Sequence, residues 1–129
     1  MPKTYSLTGI SGQVYTYTEF SPGADWNDIA GNYAFAKIGT LLTDNASATI
    51  LYLGQADSFK SRFSNHEAWA PAVQHYNANA VLARVNPNGE AARKAEEKDL
   101  IARYNPPLNT QHRTAPPGQP QLPPRPSAR

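Results

Sequence analysis

Apolar and polar positions alternate in some stretches of the chain and recur at helical spacing in others, and the switches between the two rhythms lay out its elements. From Tyr5 to Phe20 the residues predict two short strands forming a hairpin. Gly12 lies near its turn, and Val14-Tyr15-Thr16-Tyr17-Thr18 is rich in β-favouring types. Ser21-Pro22-Gly23-Ala24-Asp25 reads as a turn or loop, with a helical turn expected over Asp25-Trp26-Asn27-Asp28. Along Gly31-Asn32-Tyr33-Ala34-Phe35-Ala36-Lys37-Ile38, Tyr33 and Phe35 share one face of a strand, and Ala34, Ala36 and Ile38 share the other. Ile50-Leu51-Tyr52-Leu53 is a second core strand ending at Gly54. Thr43-Asp44-Asn45 supplies turn chemistry between the two, so they pair most simply as an antiparallel hairpin with Tyr33 and Tyr52 on neighbouring strands.

After Gly54 the rhythm changes. Asp57 or Ser58 offers an N-cap, and Phe59, Phe63, His66 and Ala70 recur at helical spacing, so one helix is expected to begin near Ser58. At about 100° per residue Arg62 falls beside His66 on the edge of that stripe, and both can face one crevice at the end of the strand. Trp69-Ala70-Pro71 predicts a break or kink. Ala80 to Val85 reads as a third strand and about Glu90 to Tyr104 as a second helix. Leu100, Ile101 and Tyr104 set that helix's apolar face, which places Glu97 near the centre of the face and turns Glu96 and Asp99 away. A buried carboxylate has to be paired or hold a metal. On the residues alone, an ion pair with Arg93 and a metal-ligand role explain Glu97 equally well. The prolines of Asn105-Pro106-Pro107-Leu108-Asn109 end the helix.

The resulting expectation is an α+β fold, α/β sandwich-like, with a three-stranded and mainly antiparallel sheet flanked by helices. Residues 1–30 form an N-terminal β-hairpin and loop extension, residues 31–109 the folded domain, and residues 110–129 a disordered tail rich in Pro, Gln and Arg. Within the tail, Pro120, Pro123 and Arg125 match a proline-rich motif that a partner's aromatic groove could take.

Composition narrows the chemistry. The 129 residues suffice for one modest core. They include no cysteine, which removes disulfides, thiolate nucleophiles and cysteine-ligated zinc. No run approaches the ~20 apolar residues of a membrane span, and Met-Pro-Lys-Thr-Tyr lacks a signal core, so a cytoplasmic protein is expected. The positive charge is unevenly placed. Arg113, Arg125 and Arg129 lie in the tail without an acid, leaving the folded part near neutral. Contacts to nucleic acid would then rest on local clusters such as Lys60 with Arg62 or Arg93 with Lys94.

Taken in order, these pieces resemble the GIY-YIG nuclease superfamily. Gly31-Asn32-Tyr33 is similar to its first name-giving tripeptide and Tyr52-Leu53-Gly54 to its second. Arg62 sits where that family places a helical arginine, His66 where many members carry His or Tyr, and Glu97 where it places a metal-binding glutamate. The run Leu100-Ile101 through Tyr104 to Asn109 is similar to its closing segment. Asn32 replaces the usual apolar middle residue. Gln55 stands where several members have lysine or another polar residue near the phosphate.

The resemblance implies a metal-dependent endonuclease that hydrolyses DNA phosphodiesters, with DNA repair among the family's roles. Its catalytic set would be Tyr33, Tyr52, Arg62, His66, Glu97 and Asn109, with substrate contacts from Gly54, Gln55, Lys60 and Arg62. Glu97 would hold Mg²⁺ or Mn²⁺, since a lone hard carboxylate with water and phosphate ligands suits such an ion. Arg62 offers a fork of donors to phosphoryl oxygens, and Tyr33, Tyr52 or His66 would position and deprotonate the water. Asn109 would support the wall of the site. Specificity would come from self-association or a partner protein. The alternative is a non-catalytic nucleic-acid or protein-binding module on the same fold; an adaptor acting through the tail is a third reading.

Overall fold

The computed structural model describes residues 3–40, 46–64 and 66–111. The expected turn over Thr43-Asp44-Asn45 and the proline-rich tail from residue 112 onward lie outside them. The described residues form an α+β fold. Its strands are β1 (Thr4–Thr8), β2 (Val14–Phe20), β3 (Gly31–Thr40), β4 (Ala46–Ala56) and β5 (Ala80–Val85); its helices are α1 (Phe59–Phe63), α2 (Trp69–Tyr76) and α3 (Glu90–Tyr104). A short 3₁₀ turn, Pro107–Gln111, follows α3. No helix among the described residues is long and apolar enough to cross a membrane.

The sheet has five strands in the order β1-β2-β5-β3-β4, and every neighbouring pair is antiparallel. The expectation of three strands with a hairpin beside them is therefore corrected. The hairpin forms as the sequence indicates, but Thr18 to Phe20 pair with Val81 to Ala83 and continue the same sheet. Side-chain anchors explain the join. Asp99 of α3 accepts hydrogen bonds from the Ser11 amide (2.9 Å), the Ser11 hydroxyl (2.7 Å) and the Tyr15 hydroxyl (3.0 Å), so the hairpin turn is tied to α3.

Strand alternation sorts the core as the sequence indicates. Tyr33 and Phe35 lie on the face covered by Phe59 of α1, Ala68 immediately before α2 and Ala72 within it. Ala34, Ala36, Leu53 and Leu82 lie on the opposite face, against Leu100 of α3. Between β3 and β4 the register slips. Phe35 is opposite Tyr52 and Ala36 opposite Ile50, so Leu51 is an extra residue in a β-bulge beside Tyr52.

The expected helix over residues 58–70 is two helices. Ser58 caps α1, accepting from the Ser61 amide at 3.2 Å, but α1 ends at Phe63, and His66 lies in the connection rather than on a helical stripe. Pro71, read as a break, sits in the first turn of α2, where its missing N–H has no intrahelical partner to lose. The expected helical turn over residues 25–28 is irregular chain. Helices α2 and α3 each stop at an asparagine in the left-handed region, Asn77 (φ 62°) and Asn105 (φ 46°).

Candidate active site

Two glycines allow the β3–β4 ladder to present its tyrosines. Gly54 lies directly opposite Tyr33, and a Cβ there would stand 2.5 Å from the Tyr33 hydroxyl and 2.6 Å from its ring. At Gly31 a Cβ would meet the Arg84 carbonyl of β5 at 2.3 Å and the Phe59 ring at 2.5 Å. Both positions need the missing side chain because neighbouring groups already fill its space. Gly54 thus shapes the floor under Tyr33.

Above that floor the aromatic rings converge. Tyr33 and Tyr52 have centroids 6.1 Å apart, and His66 lies edge-on to both, at 5.4 and 5.1 Å. The Tyr33 hydroxyl and His66 Nε2 are 2.5 Å apart. His66 Nδ1 accepts the Ala68 amide at 3.0 Å, which leaves that nitrogen without a proton. The ring is thereby held as the Nε2–H tautomer and donates to the Tyr33 oxygen. His66 is buried, and its side chain also helps start α2.

Arg62, on α1, acts on both tyrosine hydroxyls and pairs with Glu67 at 2.7 Å. The guanidinium lowers the Glu67 carboxyl to about 2, and the carboxylate in turn holds the arginine above its ordinary range. Burial raises the Tyr33 phenol most, Tyr52 raises it further, and Arg62 opposes both. Tyr52 is also raised by burial, against Arg62 and its hydrogen bond with Tyr33; Glu67 and Glu97 push it up. Both phenols therefore remain protonated at neutral pH.

Glu97 belongs to α3, which packs on the edge strand β4, and its charge reaches Tyr52. It is partly buried, and among the described residues it has no hydrogen-bond or ion-pair partner. Burial raises its carboxyl, with Lys94 only partly compensating. The expected alternative, an ion pair with Arg93, does not form. Arg93 is buried and bonds instead to Gln55 Oε1 (2.9 Å) and to Asp57. That also removes Arg93 as a phosphate contact and leaves Lys94 of that pair at the surface, bridged to Glu90. No group of three or more His, Asp or Glu side chains able to hold a metal occurs among the described residues. A divalent ion here would rest on the Glu97 carboxylate with water and phosphate oxygens, a donor set that hard cations such as Mg²⁺ accept.

The remaining expected site residues divide. Asn109 is buried and forms a two-point clamp on β4, accepting from the Leu53 amide at 2.7 Å and donating to the Leu53 carbonyl at 2.8 Å. It fixes the strand that carries Tyr52 and Gly54. Gln55 is occupied by Arg93 yet lines a shallow crevice with Ser58, Ser61 and Arg62. Lys60 is exposed on α1.

Glu96 is the main correction. Expected to face away, it is buried beneath the sheet. It accepts hydrogen bonds from the Tyr17 hydroxyl (2.6 Å), Arg84 Nε (3.2 Å) and Asn86 Nδ2 (3.1 Å). Asn32, the departure in the first tripeptide, joins the same network, accepting from Asn86 at 3.1 Å and donating to the Arg93 carbonyl at 2.9 Å. Arg93, Glu96 and Leu100 are the buried residues of α3, so its core-facing side is rotated from the one its apolar residues mark. A half-polar face hides that rotation. Glu67 carries no signal in the sequence, since its pairing with Arg62 links α1 to the residues before α2. Among known proteins, no family model, no curated protein and no solved structure gives a significant match to the chain.

Proposed function

We propose that the chain is a divalent-metal-dependent nuclease cleaving DNA phosphodiesters at the cluster of Tyr33, Tyr52, Arg62, His66 and Glu97. The observation that carries this reading is Glu97: a partly buried carboxylate with no hydrogen-bond or ion-pair partner among the described residues, on the helix that packs against the strand bearing Tyr52. A carboxylate left in that state raises the free energy of the fold and gains most from a cation.

Mg²⁺ or Mn²⁺ held by Glu97 would supply Lewis-acid charge at the phosphoryl and leaving oxygens. Arg62 offers its guanidinium to the non-bridging oxygens, exchanging part of its contact with Glu67 for phosphate. Tyr33 and Tyr52, both neutral phenols, orient the attacking water and the phosphate. His66 Nε2–H donates to the Tyr33 oxygen and so favours the phenolate of Tyr33 over its phenol. Among the three bases left open by the sequence, this arrangement favours Tyr33, with His66 positioning it. Asn109 keeps β4 in place.

The test is cleavage of supercoiled plasmid with Mg²⁺ or Mn²⁺ by the native chain, Glu97→Ala and Arg62→Ala. Nicking by the native chain and loss in both variants supports the reading. A native chain that binds DNA but never cuts it would make the same cluster a binding module.

A further inference from the structure

Beside the tyrosine cluster lies a cavity of about 360 Å³ between α1, α2 and the loop before β3. Its size falls within the range of small-ligand pockets, roughly 300–1,000 Å³. Trp26, Phe63 and Trp69 line it, all partly buried, with Phe35 as the floor and His66 at the side toward Tyr33. The rings form a continuous path. Phe63 is 4.7 Å from Tyr33 and 4.5 Å from Trp26, and Phe35 is 4.7 Å from His66 and 4.9 Å from Trp69, centroid to centroid. The Ser64 hydroxyl, also in the lining, donates to the Ser61 carbonyl at 2.8 Å and keeps lone pairs to accept from a ligand.

Resting on the nuclease reading, we propose that this cavity receives an unstacked nucleobase of the strand being cut, next to the phosphate held by Arg62. Three features select that occupant. Aromatic faces stack on any base, a hydroxyl acceptor suits a ring N–H such as that of thymine or an exocyclic amino group, and the cavity shares His66 with the site where the phosphate would lie. A base inside a duplex cannot enter. The substrate is therefore single-stranded or locally opened DNA, and base pairing at the cut works against cleavage.

The chain contains two tryptophans, Trp26 and Trp69, and both line the cavity, so intrinsic emission reports on it directly. In metal-free buffer the full chain is titrated with a short oligothymidylate, an abasic strand of equal length and a blunt duplex. The expected result is quenching by oligothymidylate, with binding roughly tenfold tighter than to the abasic strand. Trp69→Leu should remove most of that difference, and Trp69→Phe should keep it. Equal binding of the normal and abasic strands, base-dependent binding without a change in emission, or no binding of either strand would overturn the proposal. The abasic comparison needs no variant to fold. Plasmid nicking separates the two readings. A chain that nicks but ignores the missing base loses the cavity and keeps the nuclease; one that discriminates but never nicks keeps the cavity and loses the nuclease.

Discussion

The Glu96 carboxylate receives hydrogen bonds from Tyr17, Arg84 and Asn86, whereas that of Glu97, one residue further along the same helix, receives none from the described residues. Glu96 is the more deeply buried of the two, yet its surroundings satisfy it. Its partners come from β2, β5 and the turn after β5, so it joins the hairpin and the central strands to α3. Glu97 is less buried and has its carboxyl raised by desolvation. What marks a candidate catalytic carboxylate is thus an unanswered charge rather than depth. The Glu96 network ties the hairpin and central strands to α3, and Glu97 has no such network among the described residues.

Removing Glu96 should give the largest effect. Glu96→Ala leaves Tyr17, Arg84 and Asn86 without their common acceptor, and breaking a buried pair in this way costs about 3–5 kcal/mol. Urea unfolding should register that loss, a large fraction of the roughly 5–15 kcal/mol that holds a domain. A Glu96→Ala chain as stable as the native one would erase the distinction between the two glutamates.

Glu97→Gln should do the reverse, lowering cleavage by about 10²–10³-fold, as removal of one transition-state contact does, without weakening the fold. Because the folded chain holds the Glu97 carboxyl above its unfolded value, the stability it contributes is fully present at low pH and is lost as pH rises through the folded value. Glutamine has no such titration. The variant should therefore match the native chain below about pH 4, near the unfolded carboxyl value, and exceed it modestly at neutral pH. Thermal melts across that range provide the check.

The pH dependence of cleavage distinguishes the candidate bases within the site. With Tyr33 as base and its phenol held above the ordinary value of about 10, the rate should keep rising through neutral and mildly alkaline pH. Cleavage left unchanged by Tyr33→Phe would instead assign the proton to His66, the ring nitrogen in contact with that hydroxyl. His66→Ala removes the donor that favours the Tyr33 phenolate, and a loss of roughly 10–100-fold is expected, as for other positioning contacts.

Glu67 gives the smallest effect. The Arg62–Glu67 pair is largely solvent-facing, so Glu67→Gln should change stability by no more than about 1 kcal/mol. It frees Arg62 and removes a negative charge, so DNA affinity should rise several-fold, read by titration at fixed salt. Weaker binding would mean that Glu67 orients Arg62 rather than competing for it.

Much of the scaffold was legible in the sequence because its signals are local. The alternation along β3, the β-rich run of β2, the bounds of β5 and α3, and the Ser58 cap all depend on neighbours within a few residues. The pairing of β3 with β4 followed from proximity, and it carried Tyr33 and Tyr52 to adjacent strands. The errors lie where distant chain decides. The join of β2 to β5 needed Asp99 and Glu96 to grip the hairpin, and the split of the expected first helix followed from His66 and Pro71 starting a new one. Glu97 itself was legible, but by a phase that made Glu96 its exposed neighbour.

The sequence by itself determined the strand segments, the long helix α3, the spacing of Tyr33, Tyr52, Arg62 and Glu97, and the lack of cysteine, because periodicity and residue type act over short range. Tertiary structure alone decided which glutamate is satisfied, which tautomer His66 adopts and that Trp26 and Trp69 share one cavity. Those outcomes depend on where hydrogen-bond donors and aromatic faces from separate strands and helices meet in space. A carboxylate's partners, unlike its place on a helix, are set by chain dozens of residues away.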